Sequence, residues 1–110
     1  VVQPGEEGVL LEEDGKMRAY SLFPYDPLRN VESFYIEFDG GCRHLSNEHE
    51  VGVEESVFVI KGMLRMTIGQ QELVLKEKQA LRFRADLPHC YYNPSGEPCS
   101  VYNTIFYPKN

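Results

Sequence analysis

The chain contains no run of eighteen apolar residues, no basic segment leading into an apolar stretch and no lipidation signal. Nothing in it therefore asks to cross a bilayer or to be anchored to one, and the expectation is a cytoplasmic protein with no membrane partner. Cysteine is scarce. Cys42, Cys90 and Cys99 are odd in number and lack a CxxC spacing, which argues against a disulfide framework and for reduced thiols. Bases are also short: 11 Lys and Arg stand against 17 Asp and Glu, for a net charge of −6 with no basic cluster. Such a surface repels phosphate backbones, so this segment is not expected to bind nucleic acid by itself. A sustained helical period is missing as well. Only Glu72 to Phe83 holds good helix formers, among them Leu73, Lys76, Glu77 and Leu81, and its flanks favour strands.

What is present is β pattern. A chain of 110 residues suits one domain spanning 1–110, able to bury roughly two thirds of its unfolded surface. Val9 to Glu12 and Met17 to Phe23 are separated by Glu13-Asp14-Gly15-Lys16, whose Asp-Gly pair predicts a hairpin. Pro24-Tyr25-Asp26-Pro27 is expected to break the chain twice. Val31 to Phe38 alternates, with Phe34, Ile36 and Phe38 on one face and Tyr35 and Glu37 on the other. Cys42 to Val53 reads as a loop with a short strand around Asn47 and His49. Further runs follow at Ser56 to Lys61, Met63 to Ile68, Glu72 to Leu75, Ala80 to Arg84, His89 to Tyr92 and Cys99 to Tyr107. About ten short strands with turns between them imply an all-β antiparallel sandwich or barrel such as a jelly roll.

On a strand, residues two apart face the same way. Asn47 and His49 then share a face, as do Glu55, Val57 and Val59, and as do His89 and Tyr91. If these faces line the barrel, His49, Glu55, His89 and Tyr91 share one cavity. Two imidazoles and one carboxylate suit Fe, Mn, Ni or Zn and leave coordination positions open; the same side chains could equally serve as hydrogen-bonding walls for an organic ligand. Either Glu54 or Glu55 faces inward, and the six residues between Glu55 and Gly62 favour Glu55. His44 is expected to point away from His49. Arg65, Arg82 and Arg84 read as exposed strand charges, Met63 and Met66 as packing residues, and Tyr91, Tyr92, Tyr102 and Phe106 as core or cavity wall.

Gly41, Asn47-Glu48-His49, Glu55 and Gly62 resemble the first motif of the cupin superfamily, and Pro88-His89 with Asn93 resembles the second. The stretch Leu81-Arg82-Phe83-Arg84-Ala85-Asp86-Leu87-Pro88-His89-Cys90-Tyr91-Tyr92-Asn93 is similar to the sensory cupin domains of Xre-type helix-turn-helix regulators. The resemblance covers most of the chain after about residue 31 and implies a cupin-type β-barrel, a double-stranded β-helix. Two departures stand out. Asn47 occupies the place where metal-binding cupins usually carry a first histidine, and an amide oxygen is a poor ligand for a borderline or soft metal. Lys78 and Gln79 replace the usual Gly-Asp turn of the second motif.

The resemblance implies a small-molecule-sensing domain of a bacterial transcriptional regulator, with Asn47, His49, Glu55, His89 and Tyr91 as ligand-binding residues. A divalent metal on His49, Glu55 and His89 is a further possibility, not an assured cofactor. It also implies a homodimer, and a DNA-binding domain N-terminal to this segment. The start on Val1 instead of Met carries the expectation that the chain is part of a longer protein. A metal-dependent cupin enzyme (dioxygenase, isomerase or epimerase) is the alternative reading, and a dimerisation domain with a filled interior is a third.

Overall fold

The computed structural model describes residues 1–109. Ten strands carry the fold: β1 (Val9–Glu12), β2 (Met17–Asp26), β3 (Val31–Phe38), β4 (Arg43–Ser46), β5 (Glu54–Lys61), β6 (Leu64–Ile68), β7 (Gln71–Leu75), β8 (Ala80–Arg84), β9 (His89–Tyr92) and β10 (Cys99–Phe106). One sheet has the order β1-β2-β3-β10-β5-β8 and the other β4-β9-β6-β7. Every strand pairing is antiparallel. From β3 onward the chain changes sheet at almost every connection, the β6–β7 hairpin excepted. That winding is a jelly roll, and it confirms the all-β expectation. Among the described residues no helix is long and apolar enough to cross a membrane.

The alternation seen in the sequence decides what the sheets bury. Ile36 and Phe38 of β3, Val57 and Val59 of β5, Leu64 and Met66 of β6 and Val101 of β10 all lie between the sheets, almost without solvent contact. Leu73 to Leu81 forms no helix. Pairing of β7 with β6 and of β8 with β5 overrides the local helical propensity, because each pairing buries one face of a strand. The three cysteines are buried free thiols.

Several expectations are corrected. Pro24 does not end β2, which continues to Asp26. Along β2 the neighbour β1 reaches only as far as Tyr20, and the β2–β3 register shifts between Phe23 and Asp26. Pro24 thus sits in an irregular edge stretch where its missing N–H costs no ladder bond. Strand β4 stops at Ser46, so Asn47, Glu48 and His49 are in a connecting loop and not on a strand. Tyr102 and Phe106 are on the outer face of the larger sheet and more than a third exposed, not core. The expected β1–β2 hairpin forms, but left-handed backbone begins one residue earlier than the Asp-Gly pair, at Glu13.

Two positions hold the corners. At Gly62, between β5 and β6, φ is +86° and a Cβ would lie 2.7 Å from the Pro98 carbonyl oxygen, so only glycine turns the chain between sheets there. Asn93 is fully buried, and its amide donates to the carbonyls of Phe38, Asp39 and Glu97 while its Oδ1 accepts from Ser95. The Asn of the second motif is therefore a clamp joining the end of β3 to the β9–β10 turn. Lys78 adopts φ +68° at the turn that usually carries Gly-Asp. Lys78 there holds a conformation that glycine would take without strain.

Candidate functional site

Between the sheets lies a cavity of about 170 Å³ with two unlike walls. Met17, Ala19, Phe34, Ile36 and Ile105 make one apolar; His44, Ser46, His49, Glu55, Tyr91 and Asn103 make the other polar. Among the described residues, no Lys or Arg lines it.

Glu55 is the centre of the polar wall. It faces inward from β5 with 2% exposure, whereas Glu54 is exposed, which settles their alternation. Its Oε1 accepts from the Tyr91 hydroxyl and, at 3.0 Å, from the Asn103 amide. Its Oε2 faces His49 Nε2 at 3.2 Å and His89 Nε2 at 3.3 Å. Burial alone would push the Glu55 carboxyl up. The facing imidazoles of His49 and His89 and the hydrogen bond from Tyr91 outweigh that and bring it down from 4.5 to about 2, so the group is a carboxylate at neutral pH.

His89 opens β9 and is buried. Its Nδ1 lies 2.8 Å from the Leu87 carbonyl, which can only accept, so Nδ1 carries the proton. The other ring nitrogen, Nε2, faces Glu55. That nitrogen is buried and, despite its closeness to Glu55, lacks hydrogen-bond geometry to any partner. Burial lowers the His89 pKa, but the Glu55 carboxylate and the Leu87 carbonyl raise it above the usual histidine value. The ring is packed edge-on by Phe83 at 5.2 Å and by Tyr91 at 5.6 Å.

His49 is held by its backbone. Its N–H donates to the Ala85 carbonyl at 2.9 Å, and its ring stacks on His89 with centroids 6.0 Å apart. His49, Glu55 and His89 offer one ligand atom each, all within 4.8 Å of one another. The two nitrogen–oxygen separations of 3.2 and 3.3 Å are those expected across the edge of a coordination polyhedron with bonds of about 2.0–2.2 Å. A buried, unpartnered imidazole nitrogen whose other nitrogen donates to a carbonyl is also the arrangement of a metal-ligating histidine. The three side chains fit a divalent cation.

The sequence-derived site is thus brought together at His49, Glu55, His89 and Tyr91. Asn47 is exposed and is not among the residues lining the cavity, and His89, though it meets Glu55, does not line it either. His44 does line it, contrary to the expectation from alternation, because β4 ends between the two histidines and the irregular loop resets the facing. Its Nδ1 lies 2.9 Å from a Glu13 carboxylate oxygen. The three arginines stay outside: Arg84 pairs with Asp86, while Arg65 and Arg82 lie 5.6 Å from the Tyr92 and Phe106 rings. Asn103 was missed. Its signal was available, since it shares the inward face of β10 with Val101 and Ile105, and a polar residue there must find a buried partner.

The sequence profile of the cupin domain matches residues 34–105, and the chain belongs to the cupin family. It is 37% identical over 90 residues to the HTH-type transcriptional regulator SutR of Escherichia coli K12, covering 82% of this chain and 51% of that protein. The crystal structure of the cupin domain of an XRE family transcriptional regulator from Enterobacter cloacae superposes with a TM-score of 0.83 at 37% identity, over 86% of this chain and 99% of that one. An HTH_3 family transcriptional regulator from Vibrio cholerae gives a TM-score of 0.83 at 29% identity, over 88% of this chain and 54% of that one. The chain spans about half the length of these E. coli and V. cholerae regulators. It is a cupin domain related to bacterial transcriptional regulators.

Proposed function

We propose that this cupin is the effector-sensing part of a cytoplasmic bacterial transcriptional regulator, whose DNA-binding domain lies N-terminal to this segment. The observation that carries the reading is the divided cavity: a polar wall converging on Glu55 faces an apolar wall, in a space of about 170 Å³. The effector is accordingly a small molecule with one polar end and one apolar end. Tyr91 and Asn103 hold Glu55 in place, the Leu87 carbonyl holds His89, and His49, Glu55 and His89 are the residues to hold a divalent cation such as Fe, Mn, Ni or Zn. When bound, such an ion supplies a Lewis-acid centre with open positions for an anionic or carbonyl head group. Effector binding regulates only if one conformation of the regulator binds it better than the other. A homodimer would match a two-fold DNA site.

Elemental analysis of the purified chain, with thermal-shift titrations of metals and small metabolites, tests the site. Stoichiometric metal lost in His89→Ala supports it, and a metal-free protein indifferent to all four ions removes the cation from the reading. The regulator reading is tested by operator binding, which should need the N-terminal region; binding of operator DNA by residues 1–110 alone would refute it. The same donor set is the one a dioxygenase, isomerase or epimerase would use, and turnover of a metabolite that raises the melting temperature would favour that alternative.

A further inference from the structure

Around Glu55 the donors of the polar wall are spent, and one acceptor is not. Asn103 enters from the inner face of β10, opposite Phe34 of β3 and Val57 of β5, and is 3% exposed. Its amide nitrogen donates to Glu55 Oε1 at 3.0 Å and to the Ser56 carbonyl at 3.1 Å. Both partners can only accept, because Glu55 is ionised, so the amide cannot be turned over and Oδ1 is the atom left. That oxygen has no hydrogen bond to any of the described residues. The side-chain atoms that combine full burial with no partner are Ser33 Oγ, Arg65 Nε and His89 Nε2; Asn103 Oδ1 is unpartnered yet still open to the cavity that Asn103 lines.

The rest of the wall narrows what can meet it. The Tyr91 hydroxyl hydrogen goes to Glu55, and His44 Nδ1 faces Glu13 at 2.9 Å. Ser46 can give or take a hydrogen bond and so selects for neither. A head group made of acceptors alone therefore leaves the Asn103 oxygen unpaired once water is displaced. Asn103 also stands at the border of the two walls, since Phe34 opposite it and Ile105 two residues on belong to the apolar one. The donor has to adjoin the apolar part of the molecule. At about 170 Å³ the cavity is below the usual range for drug-sized ligands, which keeps that part to a short aliphatic chain.

We infer that the inner cavity selects a small aliphatic molecule whose polar end carries a hydrogen-bond donor, O–H or N–H, received by Asn103 Oδ1 while the hydrocarbon part lies against Phe34 and Ile105. The inference rests on the effector reading of this cavity and adds the group that discriminates among effectors. Asn103 is not one of the three residues suited to a cation, so the requirement is separate from any oxygen that the head group offers there. Its amide nitrogen serves Glu55 and its amide oxygen serves the ligand.

Two pairs of compounds isolate the donor. α-Hydroxyisovalerate and isovalerate share a carboxylate and a branched tail and differ by one hydroxyl; isopentyl alcohol and methyl isobutyl ketone are uncharged and offer an O–H or only a carbonyl. Valine, set against isovalerate, separates N–H from O–H. Each is titrated into the isotope-labelled 110-residue chain and followed by amide chemical shifts, expected at Phe34, Ile105 and the side-chain amide of Asn103. Within any pair that binds, the donor-bearing member should bind about tenfold more tightly. In Asn103→Ala that ratio should fall to about one; the change also removes a support of Glu55, but this acts on both members alike, so the ratio reports Oδ1 alone. The wild-type ratio is the first readout, and the result does not hang on the variant. Equal binding within the pairs, tighter binding of the donor-free members or a ratio unchanged in Asn103→Ala overturns the inference and leaves the effector reading standing. Binding by none of the compounds also overturns it, and the effector reading falls with it only when the wider metabolite screen is empty as well.

Discussion

Alternate residues of β10 face two different environments. Val101, Asn103 and Ile105 look into the space between the sheets; Tyr102, Thr104 and Phe106 look outward. On the inner side the polar residue has its amide nitrogen engaged: Asn103 donates to Glu55 and to the Ser56 carbonyl, and Glu55 collects Tyr91 and the two histidines as well. On the outer side, aromatic rings are partly in water and one neighbouring hydroxyl, that of Ser33, is left over. A buried carboxylate can exist only where several donors converge on it, so the inner face concentrates polar groups into one network. The outer face is under no such demand. One strand can thus carry a buried polar site and an open aromatic face back to back.

The largest expected effect on this comparison comes from the inner face of β3. Phe38 has no exposed surface and its ring lies 5.8 Å from that of Tyr91. Phe38→Ala should cost about 3–5 kcal/mol in urea unfolding, as large-to-small changes in closed cores do. Next is Asn103→Ala, which frees Glu55 from one of its supports. Stability should fall by about 1–2 kcal/mol, and cation affinity, measured by calorimetric titration, by about 10–100-fold. An unchanged affinity would mean that the Asn103 contact does not orient the carboxylate.

Acidity probes the inner network directly. Glu55 has a folded pKa depressed from 4.5 to about 2, so its contribution to stability is complete above about pH 4.5 and is lost as the pH falls toward 2. His89 runs the other way. Its folded pKa is raised, so its contribution is complete below the ordinary value of 6.5 and is lost as the pH rises through the higher folded value. Unfolding measured from acid through alkaline pH should show both declines, and Glu55→Gln should flatten the acid one. The smallest effect belongs to the outer face. Tyr102 is 38% exposed, and Tyr102→Ser should change stability by less than about 1 kcal/mol. A cost approaching that of Phe38→Ala would erase the distinction between the faces.

The fold was largely legible because two-residue alternation is a local property. The apolar positions of Ala80 to Arg84 and the short run His89 to Tyr92 became β8 and β9 with the bounds read from their residues. The failures came where alternation has no authority. Pro24 looked like a break because nothing local shows that its stretch of β2 runs along an edge. His44 was sent to the wrong side because its parity with His49 holds only if the strand continues past Ser46. Tyr102 and Phe106 were placed in the core or cavity wall on aromatic character, which does not say which face of a sheet is covered.

By itself the sequence determined that β5 would turn Val57 and Val59 the same way as Glu55, that β9 would turn His89 with Tyr91, and that no cluster of basic residues would accompany them. Alternation did not say that these belong to one site; the family resemblance implied it, and the tertiary structure brings the side chains together. Glu55 comes from the larger sheet and His89 from the smaller, and they meet because the chain passes from one sheet to the other between them. Alternation says which side of a strand a residue occupies. Which strand lies across the gap is set by the closing of the two sheets over a shared apolar core, and that closing also buries Glu55 deeply enough to require every donor around it.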